Sequence, residues 1–206
     1  VGDNLKHIDW KVFGRSDKLF VKKFEEETNL RCQIVIDTSP SMLYPEDEDV
    51  PNKLQFSCLA AASLITILKK QLDAAGLSFF DNSLTLHTGC KSNTVHNKML
   101  MTELERMLKF KSQSQTTNAA NVLHQIAETL HKRSLVIIFS DMLDRVSDQD
   151  ELFDALQHLK YNKHEVILFH VQDGRYEVAF EFENRPYEFI DMESGERLRM
   201  NSTSLK

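Results

Sequence analysis

Residues 34–42, IVIDTSPSM, run from unbroken apolar chain into a carboxylate and then hydroxyls at alternate positions: Asp37, Ser39 and Ser41. Little period-two alternation survives near Asp37, so a strand over 30–37 is expected to be covered on both faces, as in a parallel sheet. Two further runs share this character, SLVIIFSD at 134–141, which also ends in an aspartate, and EVILFHV at 165–171. Helical segments separate them. One spans 52–75, apolar on more than one side and closed by Gly76. Others cover 98–108, 119–130 and 150–159, with short strands at 77–80 and 83–87 around a turn at Asp81–Asn82. Strands that alternate with helices imply right-handed crossovers. The expected fold class is therefore α/β: a Rossmann-like, doubly wound, mostly parallel sheet flanked by helices. Before it, a short helix near Ile8–Phe13 and a strand near Leu19–Phe24 are expected. After it, YEVAFEF, YEFIDM and RLRM alternate like a small antiparallel β meander, with turns at Asn184–Pro186 and Ser194–Gly195.

With 206 residues, 41% of them hydrophobic, the chain can bury the core of one domain. A net charge of −6 provides no phosphate-neutralising excess, which argues against a nucleic-acid partner. Cys32, Cys58 and Cys90 form no paired framework and suit a reducing interior. The longest apolar run, LAAASLITILKK, is too short and too interrupted to span a bilayer, so no membrane contact by this stretch is expected. The sequence opens at Val1, and further residues upstream, including an anchor, are compatible with it.

In open α/β sheets, ligands sit beyond the carboxyl ends of the strands. Asp37 and Asp141 end two strands, and Thr116 and Thr117 open the helix before the second. All three loops should share one sheet edge. Asp37, Ser39, Ser41, Thr117 and Asp141 then offer hard oxygens of mixed charge, the chemistry that Mg²⁺ prefers and Mn²⁺ or Ca²⁺ accepts. Neutral hydroxyls leave such an ion under-neutralised, able to attract a carboxylate from another molecule.

The D-x-S-x-S of 37–41, the threonine before NAANVL and the aspartate of IIFSD resemble the metal-ion-dependent adhesion site of von Willebrand factor type A domains. That resemblance implies metal ligation by Ser39, Ser41 and Thr117, with Asp37 and Asp141 directly or through water. A narrower set is similar to the bacterial family called domain of unknown function 58: GDNLKHIDW, FVKKFEEE, NKLQFSCLAAASL, IIFSDMLD and FIDMESGERL. Met142 stands where the broader family has glycine. This second resemblance implies a cytoplasmic, non-enzymatic module that works with a MoxR-type AAA+ ATPase or its client, met through an acidic side chain. It also implies a division into a family-specific segment at 1–29, a von Willebrand factor A-like domain at 30–175 and a β extension at 176–206 packed on it.

Other readings compete. Ser39, Ser41, Thr117 and Asn118 are all residues that cap turns and helices. A Mg²⁺-dependent hydrolase of the haloacid-dehalogenase type would also place an aspartate after the first strand. Its second carboxylate, two residues on, is here Ser39, which cannot act as a proton donor and acceptor of that kind. His87, Cys90 and His96 are close in sequence but match no common zinc spacing. His124 and His131 share a helix face and are expected at the surface. Trp10, with Asp9, is expected to lock its segment onto the body. Asp144 and Arg145 could line the rim of the cleft or cap the next turn. Cys58 reads as inert packing. The acid run Glu46–Asp49 follows the motif and fits poorly with an acidic partner unless the metal dominates locally. Replacing Asp37 with alanine is expected to remove the metal and spare the fold, the site being on an edge loop.

Overall fold

A computed structural model describes residues 10–20, 30–46, 50–110, 119–142, 149–191 and 195–201. The elements in chain order are α1 (Trp10–Ser16), β1 (Arg31–Asp37), a 3-10 turn (Pro40–Leu43), α2 (Lys53–Lys70), β2 (Ala74–Phe80), β3 (Leu84–His87), α3 (Thr94–Met107), α4 (Ala119–Thr129), β4 (Leu135–Ser140), α5 (Gln149–Tyr161), β5 (Glu165–His170), a π-helical turn (Gly174–Val178), β6 (Pro186–Ile190) and β7 (Arg197–Asn201).

The sheet runs β3-β2-β1-β4-β5, parallel throughout except for the antiparallel edge strand β3. The expected von Willebrand factor A-like, doubly wound architecture is therefore present. The unbroken apolar run Ile34–Ile36 of β1 follows from the strand's central place. Ile34 and Ile36 face a core built with α2 and α3, where Leu54, Ile65 and Leu100 meet Phe79. Val35, between them, faces the opposite core, where Val136 and Ile138 meet Leu123 and Ile126 of α4 and Leu159 of α5. Successive residues of a strand point to opposite faces, so a stretch between two cores is apolar at consecutive positions. From β1, the chain goes to β2 on one side and later to β4 on the other. The crevice beyond Asp37 is thus the switch point where such sheets bind ligands.

Several expectations need correction. The helix after the motif ends at Lys70, not near Ala75, turning through Leu72 at φ +63°. Gly76 is no helix cap. It sits inside β2, where a Cβ would overlap the Gln33 side-chain oxygen and come within 2.7 Å of the Thr88 carbonyl. Close packing of backbone and side chain, not a turn, requires glycine there. The run 165–171 forms a strand, but β5 is the sheet's edge and its Ile167, Leu168 and Phe169 remain 40–44% exposed. In the tail, residues of YEVAFEF form the turn Gly174–Val178 instead of a strand. The described meander is thus the hairpin β6–β7, whose return leads through Gly195 at φ +72°. Trp10 lies on α1, a helix that buries no residue; it is 62% exposed, and among the described residues its ring meets Phe13 of the same helix at 6.1 Å, not the body of the domain. Most of the strand expected at 19–24, and Asp9, lie outside the described residues. No helix among the described residues is long and apolar enough to cross a membrane.

Candidate metal centre

Asp37, the last residue of β1, is 2% exposed. One carboxylate oxygen accepts the Ser39 amide at 2.9 Å, and the other accepts the Ser140 hydroxyl at 2.7 Å. Burial pushes its carboxyl up to about 7, with the nearby Asp141 charge adding to the rise and the Ser140 and Ser39 hydrogen bonds opposing it. A buried anion raised in this way gains from any cation placed beside it. This position also corrects the expected edge-loop location: the Asp37 carboxylate is a buried tie between the ends of β1 and β4.

Ser39 precedes the 3-10 turn that carries Ser41. Its side chain makes no capping bond there, so the capping alternative fails at this residue. The Ser39 and Ser41 hydroxyls instead lie 3.0 Å apart, both buried. Three of the five expected donors, Asp37, Ser39 and Ser41, are thus gathered on one turn. Asp141 follows β4 and is equally buried. Its carbonyl accepts from His170 Nε2 at 3.0 Å. Thr117 lies outside the described residues, as do Thr116, Asn118, Asp144, Arg145 and the acids from Asp47 to Asp49.

Met142, which stands where the adhesion-site motif it resembles has glycine, adopts φ +53°, a conformation in which glycine is unstrained. Its amide donates to Ser140 Oγ at 3.0 Å, and Ser140 donates onward to Asp37. The left-handed turn therefore supports the hydrogen bond that positions the Asp37 carboxylate.

Lys53, Ser140 and Glu177 were not singled out from the sequence. Lys53 is 3% exposed, and its ammonium lies 2.8 Å from Asp141 Oδ2 and 2.7 Å from Glu177 Oε1. The signal for it was legible in NKLQ. Asn52 caps α2 and exchanges bonds with Gln55, a capping box that fixes residue 53 as the first of the helix, at the same sheet edge. Glu177 had no comparable signal, because it reaches the site through the irregular turn after β5. Asp173 caps that turn, and the Glu177 side chain returns to the Asp173 amide at 2.7 Å.

The donor set suits a hard divalent cation. Asp37 with Ser39 and Ser41 could hold one, with Asp141 close enough to act on Asp37 electrostatically. Lys53 already supplies Asp141 with positive charge, so the carboxylates here are not equivalent: among the described residues Asp37 is held by an amide and a hydroxyl, whereas Asp141 meets an ammonium. Next to Ser41, Lys53 and Asp141, a cavity of about 870 Å³ opens toward the hairpin, walled by aromatic and acidic residues.

The remaining candidates serve separate local roles. His87 Nδ1 meets Ser78 Oγ at 2.9 Å, the Cys90 thiol donates to Gln33 Oε1 at 3.3 Å, and His96 Nε2 meets the Ala75 carbonyl at 3.0 Å. His124 is not simply a solvated surface residue, since its ring pairs with His158 of α5. Burial pushes the Cys58 thiol up to about 12, in keeping with inert packing.

Among solved structures, the chain is similar to the conserved hypothetical protein BatB from Bacteroides thetaiotaomicron, at 16% identity and a TM-score of 0.52, over 68% of this chain and 65% of that one. The shared part is thus just under two thirds of that structure. It is also similar to an aerotolerance-related membrane protein from Bacteroides fragilis NCTC 9343 carrying multiple mutations to serines, at 15% identity and a TM-score of 0.57, over 86% of this chain and 84% of that one. At these identities the likeness is one of fold. No curated protein matches the chain. Residues 1–205, by contrast, match a single family from end to end, and the chain belongs to it: the family described as Protein of unknown function DUF58.

Proposed function

We propose that this chain is a non-enzymatic interaction module that binds one divalent cation, Mg²⁺ with Mn²⁺ or Ca²⁺ as substitutes, and uses it to hold an acidic side chain of a partner protein. Asp37, Ser39, Ser41, Thr117 and Asp141 form the cup. The observation that carries this reading is the buried turn at the sheet's switch point, where a carboxylate with a raised pKa stands beside two hydroxyls in mutual contact. With hydroxyls among its ligands, the ion keeps positive field at the mouth, and a partner's carboxylate completes its shell. The partner is a MoxR-type AAA+ ATPase or its client, in keeping with the family resemblance. The Bacteroides fragilis neighbour is described as an aerotolerance-related membrane protein, and a role at a membrane surface, with any anchor supplied outside the described residues, accords with that likeness.

Calorimetric titration of chelator-stripped protein with Mg²⁺ and Mn²⁺ tests the cup. One equivalent bound by the wild type and none by Asp37→Asn supports it. Equal heats in both proteins, or none in either at millimolar metal, would sink it.

A further inference from the structure

The cavity beside the cup has a chemistry of its own. Its volume, about 870 Å³, lies within the range of ligand pockets. Tyr44, Phe180, Phe182, Tyr187 and Phe189 contribute to its walls. Phe182 is the hub of this cluster: its ring stands edge-on to Tyr187 at 5.2 Å and to Phe189 at 5.3 Å, and tilted to Tyr176 at 5.4 Å. The carboxyl-bearing residues Glu46, Glu188 and Asp191 also line it. Glu188 is already answered by two arginines of β7, Arg199 at 3.0 Å and Arg197 at 3.7 Å, so Glu46 and Asp191 carry the attraction. Lys53 is the one cation among the described lining residues, and Asp141 and Glu177 already engage it. Aromatic faces and carboxylates both attract positive charge, and a partly enclosed wall strengthens both effects. Two of these rings already meet guanidinium groups: Arg175 lies 5.2 Å over Tyr176, and Arg185 lies 5.0 Å over Tyr187.

We propose that this cavity receives a basic side chain, arginine or lysine, from the partner segment. The inference deepens the metal reading and rests on it for the identity of the partner as a protein, but not for the cavity's preference. The partner's surface then carries both signs: an acid for the cup, and a base a few residues away for the rings. This arrangement removes the conflict between an acidic partner and the acid run that begins at Glu46. Glu46, at the cavity wall, draws in the basic end of the segment while the metal holds the acidic one.

The test uses three end-blocked, dye-labelled hexapeptides, Gly-Ser-Arg-Arg-Ser-Gly and its Leu-Leu and Glu-Glu counterparts, titrated by fluorescence anisotropy first in chelator. The arginine peptide is expected to bind about ten-fold tighter than the leucine peptide. Phe182→Leu keeps an apolar side chain and removes the ring, and is expected to weaken the arginine peptide about five-fold while leaving the leucine peptide unchanged. The double variant Glu46→Gln, Asp191→Asn should weaken it too and flatten its salt dependence. A leucine peptide that binds as tightly, an arginine peptide indifferent to Phe182→Leu, or no binding of either at millimolar peptide would overturn the proposal. A second series in Mg²⁺ separates the two readings. Glu-Glu binding that requires metal and Asp37 belongs to the cup, and its absence counts against the cup while the arginine result stands.

Discussion

Lys53 and Asp37 are two buried charges with opposite needs. Breaking a buried ion pair by removing one partner typically costs about 3–5 kcal/mol, because the other charge stays buried and unanswered. Lys53→Met retains most of the stem and deletes the ammonium that holds Asp141 and Glu177. Urea denaturation in chelator should therefore show a loss of about 3–5 kcal/mol. A loss within about 0.5 kcal/mol would mean that the pair is solvated in solution. Asp37 behaves the other way. Its carboxyl is raised from the ordinary 3.8 to about 7 in the folded state, so folding takes up a proton between those two pH values. Metal-free protein should then lose stability as pH rises from about 4 to about 7 and level off above that. Asp37→Asn should lack that slope, and in chelator at pH 8 it should be the more stable protein. Parallel pH–stability curves for the two proteins would refute the assignment. Asparagine is the informative replacement, since alanine would also vacate a buried site and leave the Ser140 hydroxyl without its acceptor.

At the level of elements, β2 offers the sharpest test. Gly76→Ala would push a methyl group into the Gln33 side chain and the Thr88 carbonyl. Gln33 can turn aside only by giving up its bond to Ser78, whereas the carbonyl belongs to the chain paired beside β2. The expected cost is about 1–3 kcal/mol in denaturant unfolding. An unchanged midpoint would mean that the strand relaxes freely. Gly76 also shows where reading the chain by pattern fails. A glycine after an apolar helical run looks like a terminator, and only the approach of Gln33 from β1 reveals its other use. The buried strands were legible for a firmer reason. A strand stretch between two cores is apolar at successive positions, as Ile34–Ile36 of β1 and Leu135–Phe139 of β4 are. The apolar run at 165–171 obeyed the same pattern and yet became an exposed edge, because periodicity reports the side chains and not how many strands lie beyond them. The site divides along the same line. Asp37, Ser39 and Ser41 are local and could be read together. Glu177 meets Lys53 only through tertiary structure, and nothing near it in sequence announces that.

Across the whole molecule, the cup and the fold share one equilibrium. A cation that binds only the folded state stabilises it by mass action, about 2.7 kcal/mol at a hundred-fold excess over Kd. Thermal unfolding should thus shift upward with Mg²⁺ in the wild type and stay fixed in Asp37→Asn, read by differential scanning fluorimetry. A shift of equal size in both proteins would place the ion elsewhere. The bonds of Lys53 reach across 88 residues to Asp141 and 124 residues to Glu177. Contacts so distant along the chain carry a large loop-closure cost, of the kind that slows folding. During synthesis, α2 emerges with its lysine uncommitted. That lysine gains its first partner when β4 is laid down, and its second only when the turn after β5 has been made. A chain halted between those two points would hold Lys53 against Asp141 alone, so the partners of this one ammonium group tell how far the molecule has been built.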